Sequence, residues 1–250
     1  MPKSSPRTKA KPAMIFVHGF RGAPLGNQAI VAALQDQYQI FAPAIPPTNP
    51  AQLERYDLEH YQQFLADYIH KHQLRRPILV GHSMGSIIVA AFAASHPELV
   101  NQKIILLSPI TAPVSPLFRF LSPLAVLLPS HLVSYITTRF LFVPHDRALF
   151  RQALDLTKRC AKLCDKRKDL FASARFAARH SLNEFDLSRS QKHLLIIAGA
   201  KDRLVPRAFT LRFAHKYQAK LHFIQNAGHL INYETPQQVA QLIKDSLSGS

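Results

Sequence analysis

The sequence predicts an α/β protein with a mostly parallel sheet, helices flanking that sheet, and one helical insertion. Short apolar runs alternate with segments of helical periodicity along most of the chain, as parallel strands joined by helical crossovers require. The alternation stops between residues 111 and 185, which indicates an insertion there. The chain has 250 residues, 47% of them hydrophobic, and this is enough for one large domain with such an insertion.

Six apolar runs are predicted to form the sheet. The runs 14–17, 104–107 and 194–197 are continuous rather than alternating, which is typical of strands buried on both faces. The six runs span residues 14–17, 39–42, 78–80, 104–107, 194–198 and 221–224. Helical periodicity places the flanking helices at residues 27–37, 58–72, 84–95, 207–217 and 237–247.

The chain is predicted to divide into three parts. Residues 13–110 and 186–250 would form the α/β core, and residues 111–185, which prolines interrupt repeatedly, would form a helical cap or lid. Residues 1–12 contain four basic and no acidic side chains, so we interpret them as a basic flexible tail rather than a signal peptide. Because so little chain precedes the first strand, the sheet is expected to be trimmed at its N-terminal edge, meaning that no further strands come before that one.

One motif indicates a reactive serine. The segment Gly81-His82-Ser83-Met84-Gly85 directly follows the run 78–80 and opens the helix predicted over 84–95. A sharp strand–turn–helix junction with serine at its apex needs glycine on either side, because strand and helix approach too closely for larger side chains. A serine in front of a helix is more commonly only an N-cap, so the rest of the chain has to decide between these interpretations.

An acid and a base follow later strands in the order that this chemistry requires. Asp202 comes shortly after the run 194–198, and His229 comes shortly after the run 221–224. Parallel sheets place their sites at the carboxyl ends of strands, so Ser83, Asp202 and His229 are expected to meet there. Glu184 or Asp186 could replace Asp202, but neither follows a predicted strand.

With His18-Gly19-Phe20, these motifs resemble the serine hydrolases of the α/β-hydrolase superfamily, and the resemblance covers nearly the whole chain. It implies that Ser83 attacks an acyl carbon, that His229 moves the proton and that Asp202 orients the imidazole. The resemblance also implies an oxyanion hole made by the backbone amides of Phe20 and Met84. A catalytically inactive homologue that serves as a binding protein would show the same fold, and this alternative stays open.

The charge suggests an acidic partner. The formal net charge is +16, and residues 111–185 hold twelve basic against five acidic side chains, interleaved with apolar ones. In size, triad order and basic cap, the chain is similar to capped carboxylesterases that cleave pimeloyl-[acyl-carrier-protein] methyl ester in biotin synthesis. That resemblance implies that the acidic carrier docks on cap arginines, for which the candidates are Arg139, Arg147, Arg151, Arg159 and Arg167.

The sequence is also compatible with other roles for the basic residues and other substrates for the triad. The basic residues could be solvated helix faces, or they could hold a monoacylglycerol-type lipase on anionic lipid, and an acyl thioesterase would use the same triad. No nucleic-acid recognition motif accompanies the positive charge.

No group of residues has metal-ligand spacing and no glycine-rich phosphate loop occurs, so we expect neither metal nor cofactor. Cys160 and Cys164 are expected to be reduced thiols of a cytoplasmic protein. Acyl chain length and oligomeric state are left open.

Overall fold

The six predicted strands form one fully parallel sheet. The computed structural model describes residues 11–48, 50–113, 120, 127–143, 147–164, 166–190 and 193–248. The strands are β1 Ala13–Val17, β2 Gln39–Phe41, β3 Ile78–His82, β4 Ile104–Leu107, β5 Leu194–Gly199 and β6 Lys220–Ile224. Their order across the sheet is β2-β1-β3-β4-β5-β6. Strand β3 is two residues longer than predicted because Gly81 and His82 still pair with Leu106 and Leu107 of β4.

Helices cover the sheet and fill the insertion. In the described part of the chain they are α1 Gln28–Leu34, α2 Leu58–Lys71, α3 Met84–Ser95, α4 Ser130–Leu141, α5 Arg147–Lys162, α6 Arg167–Arg179, α7 Arg207–Lys216, α8 Ile231–Glu234 and α9 Pro236–Ser248. Helix α1 ends three residues earlier than predicted. Three helices, α4 to α6, occupy the segment predicted as a cap, and residues 114–119, 121–126, 144–146 and 165 of that segment lie outside the described residues, as do residues 1–10 of the predicted tail.

Both faces of the sheet are buried, as the continuous apolar runs predict. Successive residues of a strand point to opposite faces, so β1 contributes Ile15 and Val17 to one core cluster and Met14 and Phe16 to the other. Helices α2, α3 and α7 pack on the first face, and α1 and α9 pack on the second. Helix α3 is apolar around most of its circumference because it is buried on nearly all sides, packed mainly against β3 and α2.

The strand order creates a crevice beside β1. The chain runs outward from β1 to β2 and then returns to β3 on the other side of β1, so the connections leaving β1 and β3 diverge. Ligands of open α/β sheets bind at such a switch point, outside the carboxyl ends of the strands. The loop 18–22 follows β1 and Ser83 follows β3, so both lie at this crevice.

The insertion is attached to the core by polar and apolar contacts. The Ser173 hydroxyl on α6 lies 3.2 Å from the Tyr61 hydroxyl of α2 and 3.6 Å from the Met84 sulfur. Phe142 and Ala153 pack with Leu230, which stands between β6 and α8. Among the described residues, no helix is both long enough and apolar enough to cross a membrane.

Candidate active site

Ser83 stands at the apex of a strained turn. Its backbone has φ 53° and ψ −119°, a left-handed conformation that costs a residue with a side chain on the order of 1–3 kcal/mol. Hydrogen bonds hold the turn from both sides. The Ser83 N–H donates to the Leu107 carbonyl over 3.1 Å, and the Ser83 carbonyl accepts from the N–H and the hydroxyl of Ser86. The surrounding sheet and helix therefore impose the conformation that exposes the serine hydroxyl.

The two flanking glycines are needed for close packing. A Cβ atom on Gly85 would collide with the carbonyl oxygens of Val17 and His18, and one on Gly81 would lie 2.5 Å from the Gly85 carbonyl oxygen. These neighbours are backbone atoms, which cannot move aside as a flexible side chain can. Close approach of β1, β3 and α3 is therefore the reason for glycine at both positions.

Ser83, His229 and Asp202 form one continuous chain of hydrogen bonds. His229 Nε2 lies 2.8 Å from Ser83 Oγ, and His229 Nδ1 lies 2.7 Å from Asp202 Oδ2. Because an ionised carboxylate only accepts, Nδ1 donates to Asp202, and Nε2 is left to accept the serine proton. The other carboxylate oxygen, Oδ1, accepts from the N–H groups of Leu204 and Val205 at 2.8 and 3.0 Å.

Asp202 remains ionised although it is buried. Its side chain is 5% exposed and that of His229 is 2% exposed. Burial by itself raises the pKa of Asp202, but His229 and the amides of Val205 and Leu204 outweigh this effect and hold the pKa below its usual value. The carboxylate therefore stabilises positive charge on the imidazole in a setting where water screens little.

Two further histidines support the site as neutral groups. His18 Nε2 accepts from the Ile45 N–H at 2.9 Å while Nδ1 donates to the Gly19 carbonyl at 3.0 Å. His82 Nε2 donates to the His229 carbonyl at 3.2 Å. Burial lowers the pKa of His18 to about 4 and that of His82 to about 3, so neither is charged at neutral pH. Both side chains are buried, and both residues line the same cavity as Ser83.

The two predicted oxyanion donors face the same cavity as Ser83. Met84 is the first residue of α3, so its N–H has no acceptor within the helix. Phe20 lies in the loop after β1, and the adjacent Gly19 is pressed against the elbow, since a Cβ atom there would lie 3.0 Å from Ser83 Cβ. Phe20, Met84 and Ser83 all line the cavity. The two residues that would supply the amides therefore lie at the same cavity as the serine hydroxyl.

The cavity above Ser83 has a volume of about 320 Å³ and mostly apolar walls. The core provides its floor, with Ser83 and His229, and the insertion provides the opposite wall. The side chains on that wall are small or aliphatic and include Val133, Ile136, Leu141, Ala174 and Ala178. A cavity of this size and lining can hold a small, mostly apolar molecule. Within the described ranges, no three His, Cys, Asp or Glu side chains are grouped as metal ligands would be.

The remaining candidates lie away from the serine. Glu184 caps the Ser181 N–H and contacts His180, and Asp186 accepts from Ser188. The cap arginines are exposed on the insertion helices, none of them lining the cavity: Arg139 on α4, Arg147, Arg151 and Arg159 on α5, and Arg167 at the start of α6.

Two residues near the site were not predicted from the sequence. Glu234 on α8 is buried and accepts from the N–H groups of Gly228 and Val143, each at 3.0 Å. Burial raises its pKa even though these donors favour the ionised form. Arg21 lines the cavity beside Phe20. Its position directly after His18-Gly19-Phe20 was a signal that could have been used, whereas no local pattern distinguishes Glu234.

A serine on a strand–helix turn, hydrogen bonded through histidine to a buried aspartate at the carboxyl edge of a parallel sheet, is the site architecture of α/β-hydrolases. The chain belongs to the alpha/beta hydrolase family, whose family model matches residues 14–242. This range covers β2 to β6, all of β1 except its first residue, and both glycines of the elbow.

Named relatives and solved structures agree with the family. An uncharacterised hydrolase of Bacillus subtilis, YugF, is 24% identical over 251 residues, which cover 93% of this chain and 88% of that protein. A pyrethroid hydrolase of Sphingobium wenxiniae is 31% identical, but over 40% of this chain and 37% of its own length. An esterase structure from Thermogutta terrifontis superposes with a TM-score of 0.78 at 20% identity, covering 97% of this chain and 91% of that one. At this identity the structural likeness concerns the fold.

Proposed function

We propose that the protein hydrolyses carboxylic esters through an acyl-enzyme on Ser83. The single observation behind the proposal is the hydrogen-bonded path from Ser83 through His229 to Asp202, which opens into an apolar cavity. The hydrolase and esterase names of relatives and structural neighbours support the same reaction class. A non-catalytic binding protein would have no need for a strained serine that is hydrogen bonded to a histidine oriented by a buried carboxylate.

The proposed reaction follows from the acceptor at His229 Nε2. Ser83 Oγ attacks the ester carbon as Nε2 takes its proton, and the imidazolium then protonates the departing alcohol. Asp202 holds the ring and stabilises its transient charge. Water, activated by the same imidazole, releases the acid and restores Ser83. The amides of Phe20 and Met84 would stabilise the tetrahedral oxyanion, and loss of one such donor typically costs on the order of 3 kcal/mol.

Residues 111–185 would act as a cap on a core made of residues 13–110 and 186–250. Support comes from the cavity, whose wall opposite Ser83 is provided by α4 and α6. A cap of this kind excludes water from the acyl-enzyme and selects the acyl chain by shape.

The substrate that we propose is an acyl chain carried by an acidic acyl carrier protein, with pimeloyl-[acyl-carrier-protein] methyl ester as the specific candidate. Such a substrate would suit an apolar cavity between the core and the insertion, with exposed arginines on the outer surface of the insertion. Arg147 and Arg151 stand one turn apart on α5, where both can reach one acidic surface. Biotin synthesis in the cytoplasm would be the setting of this reaction.

A monoacylglycerol-type lipase is the second candidate, and α4 is the observation that favours it. This helix exposes a row of large apolar side chains, namely Leu132, Tyr135, Ile136 and Phe140. Ile136 also lines the cavity, so the exposed row continues into the proposed acyl site. An apolar helix face next to basic residues is suited to an anionic lipid surface.

Intact-mass analysis of a methyl-ester acyl chain on acyl carrier protein tests both the reaction and the partner. Wild type should remove the methyl group, and Ser83→Ala, with unchanged circular dichroism, should not. Release of the whole chain by wild type would identify a thioesterase. If the carrier-linked ester stays intact while monoacylglycerol is cleaved, the lipase is the correct candidate. Turnover by Ser83→Ala would overturn the triad.

A further inference from the structure

Arg21 places a positive charge at the cavity, and among the residues that the structure describes it has no acidic partner. Its Nη2 atom donates to the Ser130 hydroxyl at 2.9 Å, to the Ser130 carbonyl at 3.3 Å and to the Ser134 hydroxyl at 3.5 Å, all of them uncharged acceptors. No Asp or Glu of the described residues lies within ion-pair distance of the guanidinium. The first turn of α4, which these contacts reach, contains no acidic residue either.

Toward the described residues, Arg21 uses only a small part of its hydrogen-bonding capacity. A guanidinium has five N–H donors in a planar fork, and the three contacts above all use Nη2. Within the described part of the chain, Nε and Nη1 make no hydrogen bond. Half-burial lowers the pKa of Arg21, but an arginine keeps its charge at neutral pH. A cation in this position is stabilised when an anion supplies the missing charge.

The backbone at Arg21 is one that would favour glycine. The Gly22 N–H donates to the Gly19 carbonyl at 3.0 Å, which closes a four-residue turn, and Arg21 occupies its third position with φ 54°. Turns with positive φ at this position usually have glycine there. Arginine is therefore held at a conformational cost, and the fold of the turn by itself gives no reason for this side chain.

The cavity has the chemistry to receive an anionic ligand at Arg21. The described residues that line it include no aspartate and no glutamate. Arg21 lies in the loop after β1, next to Phe20, and it lines the same cavity as Ser83. An anion bound to Arg21 would therefore belong to the same molecule as an ester bound at Ser83.

We propose that Arg21 binds an anionic oxygen group, a carboxylate or a phosphate, on a part of the substrate other than the scissile ester. The inference rests on the proposed ester hydrolysis and adds a substrate class to it, namely esters with a second, charged end. The planar fork of arginine matches both groups with paired hydrogen bonds. Partial burial weakens screening by salt, so such a pair keeps its strength at physiological ionic strength.

A matched series of methyl esters tests this proposal. Methyl hexanoate, monomethyl adipate and a methyl hexanoate with a terminal phosphate have similar shape and differ in their far end, and monomethyl esters from succinate to suberate vary its reach. Wild type should show a higher kcat/KM for a charged ester than for its neutral counterpart. Arg21→Gln should lower this charged-to-neutral ratio about tenfold or more, and Arg21→Lys should restore part of it. The carboxylate and phosphate arms identify which anion is preferred.

Arg76 provides the control. It also has a positive φ, of 45°, and its Nε donates to a backbone carbonyl, that of Val100, but it does not line the cavity. Arg76→Gln therefore removes the same charge elsewhere and should leave the ratio as in wild type. Arg21→Gly, which relieves the strained turn, should keep or raise the melting temperature while losing the ratio. An effect of misfolding is thereby separated from an effect of charge.

Binding to the Ser83→Ala protein distinguishes failure of this inference from failure of the proposed reaction. By calorimetry, this variant should bind monomethyl adipate or the phosphate ester more tightly than methyl hexanoate, and adding Arg21→Gln should abolish the difference. That result would support the anion site even if wild type hydrolysed none of the esters. Equal affinities, or a difference that persists without Arg21, would overturn it.

Discussion

The backbone N–H of His229 donates to the carbonyl of Leu141 at 2.8 Å, and this bond joins the proposed catalytic base to the last residue of α4. The neighbouring Gly228 fits closely here, because a Cβ atom on it would collide with the same carbonyl. The end of α4 and the histidine loop therefore position each other. A change in the insertion can reach the base through this contact, without touching substrate.

Glu234 completes this junction and should be sensitive to a conservative change. It accepts from Gly228 N–H in the histidine loop and from Val143 N–H just after α4. In Glu234→Gln, one accepting oxygen becomes an NH₂ donor that faces an N–H. We expect a loss of about 1–3 kcal/mol in the free energy of unfolding and a lower kcat. Urea denaturation and initial rates measure both, and the exposed Glu59→Gln should change neither. Unchanged stability in Glu234→Gln would show that the junction tolerates the lost acceptor.

Strain at Ser83 should be measurable as a difference between two inactive variants. Both Ser83→Ala and Ser83→Gly lose the hydroxyl, but only glycine relaxes at φ 53°. We expect the glycine variant to be more stable than the alanine variant by about 1 kcal/mol, because relief of strain exceeds the entropy cost of glycine. At Ser95, an exposed residue at the end of α3, the same pair should have the opposite order. If alanine is the more stable substitution at Ser83 as well as at Ser95, the elbow stores no strain.

Carrier docking should depend on the basic face of α5. Changing Arg147, Arg151 and Arg159 together to glutamate should raise KM for a carrier-linked ester and leave small esters nearly unaffected. Added salt should likewise weaken carrier-linked turnover, because surface attraction is screened over about 8 Å at physiological ionic strength. The control reverses Arg212, Lys216 and Lys220, which lie on α7 and β6. Equal effects of the two triple variants, or of one variant on both substrates, would contradict docking on α5.

Acid should destabilise the fold through its buried histidines. The pKa of His82 is lowered by burial to about 3, so the folded protein binds its proton more weakly than the unfolded chain. The free energy of unfolding does not depend on this residue's protonation above pH 6.5, the ordinary pKa of histidine. It decreases as the pH falls below 6.5, because the unfolded chain then binds the proton more tightly. In His82→Gln, which retains a donor, the slope of unfolding free energy against pH between about 4 and 6 should decrease by roughly 1.4 kcal/mol per pH unit. His18 contributes in the same direction, so a single variant removes part of the slope. Parallel slopes for wild type and His82→Gln would contradict the burial effect.

The strands were predictable because each contains a short local run of mostly apolar residues. All six were placed to within two residues at each end, with β3 the largest deviation, since pairing with β4 continues through Gly81 and His82. The helix ends were less certain, because α1 stops at Leu34 where periodicity suggested residue 37. Helix ends depend on tertiary contacts and capping, which a periodic pattern does not record.

The sequence by itself determined the parallel sheet, the elbow glycines and the order of Ser83, Asp202 and His229, because each depends on residue type next to a recognisable strand. Only the tertiary structure decided which distant groups outside these motifs meet. Three features join segments that are far apart along the chain: the pairing of His229 with Leu141, the burial of Glu234 between two loops, and the placement of Arg21 in a cavity whose described lining residues include no acid. The physical reason is that strand and turn signals act over a few residues, whereas burial and charge compensation depend on neighbours brought together by folding.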